Sequence, residues 1–98
     1  MRLAFRYATM SAMSKKILVV DDEPELRTLL GMRLEANHYE VDFAENGKVG
    51  LDKVKSFKPD LIILDIMMPV MDGMAMHQYL KADPATHQMP VIFLSAKI

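Results

Sequence analysis

Three apolar runs of four residues each stop at a side chain that carries oxygen. Ile17-Leu18-Val19-Val20 runs into Asp21-Asp22, Leu61-Ile62-Ile63-Leu64 into Asp65, and Val91-Ile92-Phe93-Leu94 into Ser95. Unalternated runs of this length suit strands buried on both faces, as in a parallel sheet covered by helices. The carboxyl ends of such strands lie along one edge, where ligands bind at the topological switch point. Three carboxylates and a hydroxyl, far apart in sequence, are therefore expected in one shallow cleft. A cluster of that kind suits a hard cation, and one of its carboxylates can serve as a nucleophile.

Between the runs the chain reads as helices and tight turns. Pro24 suits a first helical turn, with Asp22 or Glu23 just outside it. Leu26, Leu29, Leu30 and Leu34 mark the buried stripe of a helix reaching Ala36, and Asn37-His38 ends it. Tyr39 to Ala44 forms a shorter strand. Asn46-Gly47 then turns the chain into a second helix that runs to Phe57 and is buried through Val49, Leu51 and Val54. Gly50 inside this helix costs about 1 kcal/mol against alanine, which points to close packing or simple tolerance. Pro59-Asp60 opens the third strand. Residues 68–73 form a loop, a third helix covers Gly73 to Ala82, and Asp83-Pro84 breaks it. Strands alternating with helices imply right-handed crossovers and a doubly wound α/β sheet. Residues 1–14 lack this organisation and read as an N-terminal extension, leaving one domain over residues 15–98.

Composition narrows the function. The 98 residues are 51% hydrophobic and 26% charged, which marks a globular chain. A formal net charge of -1 argues against a nucleic-acid-binding face in this segment. With no cysteine there is no disulfide framework and no thiolate chemistry, in keeping with a cytoplasmic setting. No apolar stretch approaches the roughly 20 residues of a membrane span.

Asp21, Asp22 and Asp65 form a chemical unit. Two carboxylates ~4 Å apart repel by roughly 4 kcal/mol at an effective dielectric of about 20. Three cannot all stay ionised without a counter-charge or an added proton. Mg²⁺ suits the site because it takes one or two carboxylates together with waters and phosphate oxygens. The plainer alternative is that strand-end aspartates cap the following helices, which applies best to Asp22.

Three segments now carry a resemblance. These are Lys16 to Pro24 (KILVVDDEP), Pro59 to Gly73 (PDLIILDIMMPVMDG) and Met89 to Ala96 (MPVIFLSA). Together, in this order and spacing, they resemble the receiver domain of bacterial two-component response regulators over roughly residues 15 to 98. The resemblance implies a flavodoxin-like, doubly wound parallel sheet, of strand order 2-1-3-4-5 in the family and 2-1-3-4 over these residues. It implies that Asp65 accepts a phosphoryl group from a sensor histidine kinase or phosphotransfer protein. It further implies Mg²⁺ held directly by Asp22 and through a water by Asp21, with Asp65 and the backbone carbonyl of Met67 completing the metal site. Ser95 would be the switch hydroxyl, with small Ala96 leaving room for the phosphoryl group. On this reading the domain is a switch rather than an enzyme. The family's last helix, strand and helix, and its lysine after the fifth strand, are not expected within residues 15–98; Lys97 lies two positions past Ser95 and is not that lysine.

Two other functions compete. Haloacid-dehalogenase-type phosphatases also place a nucleophilic aspartate after a parallel strand, but they use Asp-x-Asp, whereas Asp21-Asp22 is followed by Glu23-Pro24. The other alternative is an interaction or oligomerisation module that does not switch. An apolar fourth strand at a sheet edge favours a homo-oligomer, by strand pairing or by exchange of residues 1–14 through Leu3, Phe5 and Tyr7. His38, His77 and His87 are too scattered to expect a joint metal site. Met67, Met68, Met71, Met74 and Met76 are expected mainly to fill core, with a partner surface as the lesser role.

Overall fold

In a computed structural model of the chain, residues 14–94 are described. Strands β1 (Lys16–Val20), β2 (Glu40–Ala44), β3 (Leu61–Asp65) and β4 (Val91–Leu94) form one parallel sheet in the order β2-β1-β3-β4. Helices α1 (Pro24–Ala36), α2 (Gly47–Phe57) and α3 (Gly73–Ala82) make the crossovers. This is the flavodoxin-like arrangement, with the order and elements expected from the sequence. Residues 1–13 and 95–98, Ser95, Ala96 and Lys97 among them, lie outside the described residues.

Strand alternation divides the interior in two. Leu18, Val20, Ile62 and Leu64 face α2 and α3, packing with Val54, Met68, Met76 and Leu80. Ile17, Val19 and Ile63 face the other side, where Leu30 and Leu34 of α1 cover them with Val41 and Phe43. Helices therefore lie on both faces of the sheet, which explains why the runs of β1 and β3 lack alternation. At Gly50 a Cβ would come within 2.9 Å of the Met76 side chain, so that glycine marks close packing.

Two helices begin on side-chain caps. Asn46 Oδ1 accepts from the Val49 amide at 3.0 Å, and Asp72 Oδ1 from the Ala75 amide at 2.8 Å. Each satisfies a backbone donor that the first helical turn leaves free. Glu23 is the N-cap residue of α1, with Pro24 as the first helical residue and no side-chain cap bond. Asp22 is therefore not a helix cap, and the plainer reading of that residue is removed.

The structure corrects three packing expectations. Leu29 belongs to the expected stripe of α1 yet is 49% exposed, because α1 lies over β1 and β2 and that side chain points away from them. β4 is not buried on both faces: Ile92 is 51% exposed, since β4 is an edge and α1 does not reach it. The methionines divide as well. Met68 and Met76 are buried, whereas Met67 and Met74 are exposed. Among the described residues no helix is long and apolar enough to cross a membrane.

Candidate metal centre at the sheet edge

Register builds the site. Val20 pairs with Leu64 across β1 and β3, so Asp21 lines up beside Asp65 one step further along. Asp22 follows in the turn before α1. The carboxylates of Asp21, Asp22 and Asp65 each offer an oxygen, and these atoms all lie within 4.8 Å of one another. Asp21 and Asp65 are buried, whereas Asp22 is exposed. Their convergence is the one expected from the ends of the apolar runs.

Asp21 is tied down on three sides. Its amide donates to the Ala44 carbonyl at 3.0 Å, continuing the β1–β2 ladder past its end. Its Oδ1 accepts from the Glu23 amide at 2.8 Å. Its carbonyl accepts from Arg27 Nη1 at 2.5 Å. Asp65 is anchored less tightly: its Oδ1 accepts from the Met67 amide at 3.4 Å, while the Ile66 amide continues the ladder to the Leu94 carbonyl at 3.3 Å.

The loop after Asp65 folds back onto the sheet. The Gly73 amide donates to the Ile66 carbonyl at 2.9 Å, and Gly47 at the start of α2 donates to the Met71 carbonyl at 2.9 Å. A Cβ at Gly73 would collide with the Asp65 carbonyl, so only glycine lets α3 start this close to the acidic strand end. Met71 donates to the Pro69 carbonyl at 2.8 Å, a three-residue turn around Val70, whose φ is 70°. Val70 is a β-branched residue in left-handed backbone, held at the tip of the loop and 78% exposed.

Electrostatics sets the chemistry. Burial pushes the Asp65 carboxyl above the ordinary aspartate value, and the charges of Asp21 and Asp22 push it further; the Met67 and Ile66 amides oppose them. Asp21 is raised as well, first by burial and then by Asp22 and Glu23, against the Glu23 amide and Arg27. A divalent cation would relieve all these repulsions at once. An all-oxygen donor set with two buried, mutually repelling carboxylates fits a hard ion such as Mg²⁺. The three histidines join no such group among the described residues; His77 instead packs its edge on Phe93 at 5.1 Å between ring centroids.

A profile of the response regulator receiver domain matches residues 17–98. The chain belongs to that family. Like its relatives, it carries the receiver domain of two-component systems. It is 44% identical over 85 residues to the alkaline phosphatase synthesis transcriptional regulatory protein PhoP of Bacillus subtilis, a match covering 87% of this chain and 35% of PhoP. It is 44% identical over 84 residues to the response regulator PleD of Caulobacter vibrioides, covering 86% of this chain and 18% of PleD. The chain thus spans about a third or less of these relatives. Among solved structures it resembles the N-terminal domain of a response regulator receiver protein from Methanoculleus marisnigri JR1. That similarity has a TM-score of 0.82 and 41% identity, and covers 85% of this chain and 68% of the other.

Sequence reasoning did not single out Arg27. A cation in the first turns of a helix reads as ordinary surface, and the only available signal was its place six residues after Asp21.

Proposed function

We propose that this receiver domain takes a phosphoryl group onto Asp65 from the phosphohistidine of a sensor histidine kinase or phosphotransfer protein. The observation that carries the reading is the convergence of a buried Asp65 with Asp21 and Asp22 at the carboxyl edge of the sheet. In the transfer, an Asp65 carboxylate oxygen attacks phosphorus, the bond from phosphorus to the donor imidazole nitrogen breaks, and the imidazole leaves with its bonding electron pair. The product is an acyl phosphate on Asp65. Asp21, Asp22 and Asp65, with the backbone carbonyl of Met67, would hold Mg²⁺. Bound there, the ion neutralises charge on the transferred oxygens. The protein's own part is placement: the β1–β3 register aligns the carboxylates, and the Glu23 amide holds Asp21 in place.

Ser95 and Ala96 take the switch roles in this proposal, on the strength of the family resemblance. The domain occupies residues 15–98 after an extension over 1–14, acts in the cytoplasm without nucleic-acid contact, and is a switch rather than an enzyme. It self-associates, a reading supported by the exposure of Ile92 on the β4 edge.

The test is phosphorylation by acetyl phosphate with Mg²⁺, followed by intact mass. The parent chain should gain one phosphoryl group and Asp65→Asn none. A mass gain that survives in Asp65→Asn overturns the acceptor assignment. No gain in a folded, self-associating parent favours the interaction module that does not switch.

A further inference from the structure

Arg27 stands in the first turns of α1, where the helix dipole disfavours a cation. Its position calls for a reason beyond helix formation. The side chain is half-buried and reaches back six residues, so that Nη1 donates to the Asp21 carbonyl at 2.5 Å. That carbonyl belongs to the peptide joining Asp21 to Asp22. The other side of the same turn is fixed by the Glu23 amide on Asp21 Oδ1 at 2.8 Å. Asp22 therefore leaves a peptide held by Arg27 and enters a residue held by Asp21. Among the three carboxylates it is the exposed one, on a turn rather than a strand, and it is the one most in need of external support.

We propose that Arg27 is a positioning residue for the cation site: its guanidinium fixes the Asp21–Asp22 peptide so that the Asp22 carboxylate is presented beside Asp65. The inference rests on the cation reading given above, but makes its own claim about a residue that touches no ligand atom. Arginine suits the task because its planar fork holds direction at a carbonyl, and its charge shortens the bond. Its charge alone would work the other way, since a cation beside the cluster repels an incoming divalent ion. The two effects therefore predict opposite outcomes.

The experiment is a calorimetric Mg²⁺ titration of the parent chain, Arg27→Ala, Arg27→Gln and Arg27→Lys. Amide order of Asp22 and Glu23 is measured by NMR without metal, and folding is checked by circular dichroism. Arg27→Ala should bind Mg²⁺ about tenfold more weakly, the scale seen when a group that orients a metal ligand is removed. Arg27→Lys, which keeps a charged donor, should recover most of the loss, and the Asp22 amide should become more mobile in Arg27→Ala even without metal. Tighter or equal Mg²⁺ binding by Arg27→Ala overturns the proposal. If Arg27→Ala does not fold, Arg27→Gln decides the question by the same criteria. A parent that binds no Mg²⁺ removes the cation reading; unchanged Asp22 order in the metal-free variants removes the role of Arg27 independently of it.

Discussion

Replacing Asp65 with asparagine is expected to stabilise the metal-free chain at neutral pH, although it removes the proposed acceptor. The ligand oxygens of the three aspartates lie within 4.8 Å of one another. At that separation two unit charges repel by about 3.5 kcal/mol at an effective dielectric of about 20, and by about 0.9 kcal/mol in bulk water. The buried Asp21 acts on Asp65 nearer the first figure, and the exposed Asp22 nearer the second. Hydrogen bonding from the Met67 and Ile66 amides offsets part of the sum. A net gain of about 1–2 kcal/mol follows, or about 4–8 °C in Tm for each kcal/mol in a domain of this size. The sign has a pH signature. Asp65 is raised above its ordinary value of 3.8 in the folded state, so its stabilising contribution is complete below that value and is lost as pH rises through the raised one. The advantage of asparagine should therefore be full at neutral pH and fade as the parent carboxyl takes up its proton. Saturating Mg²⁺ should reverse the order, because the ion stabilises the parent by mass action and the variant far less. Urea melts followed by circular dichroism, with chelator and with Mg²⁺, read all three effects. An Asp65→Asn chain no more stable than the parent in chelator at neutral pH would refute the electrostatic account of the cluster.

Val70→Gly should raise stability by about 0.5–1 kcal/mol, the left-handed cost of a branched residue less the greater freedom of unfolded glycine; an unchanged urea midpoint would show that Val70 is unstrained. Gly73→Ala should destabilise the chain by at least about 2 kcal/mol, since the new methyl meets the Asp65 carbonyl and lies 3.0 Å from Ile66 Cα; thermal melting within a degree or so of the parent would contradict that close approach. If the chain associates by its β4 edge, light scattering should show Ile92→Lys shifted toward monomer while deletion of residues 1–12 leaves the assembly intact. A parent that remains monomeric at high micromolar concentration would end that proposal.

The sheet and the carboxylate cluster were legible because one signal carried both. An apolar run fixes a strand, its polar stop fixes the edge, and parallel strands place all such stops together. What was not legible depended on partners that no local pattern reveals. Leu29 fits the helical period as well as Leu30 does, yet only the placement of α1 over β1 and β2 decides which is covered. Nothing in a valine announces left-handed backbone; Val70 is held there by the turn that joins Pro69 to Met71. Met67 and Met68 are adjacent and chemically identical, but the loop turns one outward and the other into the core. Arg27 gained meaning only once the Asp21 carbonyl was seen beside it.

Asp21 and Asp65 sit at the ends of β1 and β3, the two strands that have a neighbour on either side among the described residues. Fraying starts where a ladder has a free margin, so β2 and β4 can open without dislodging Asp21 or Asp65. Amides of β1 and β3 should be the last to exchange with solvent, and they will do so only when the whole domain opens. The repulsion among the carboxylates is thus loaded onto the part of the molecule least able to yield to it. A pair placed on an edge strand could relax by local melting; Asp21 and Asp65 can be relieved of each other only by a proton, a counter-ion or global unfolding.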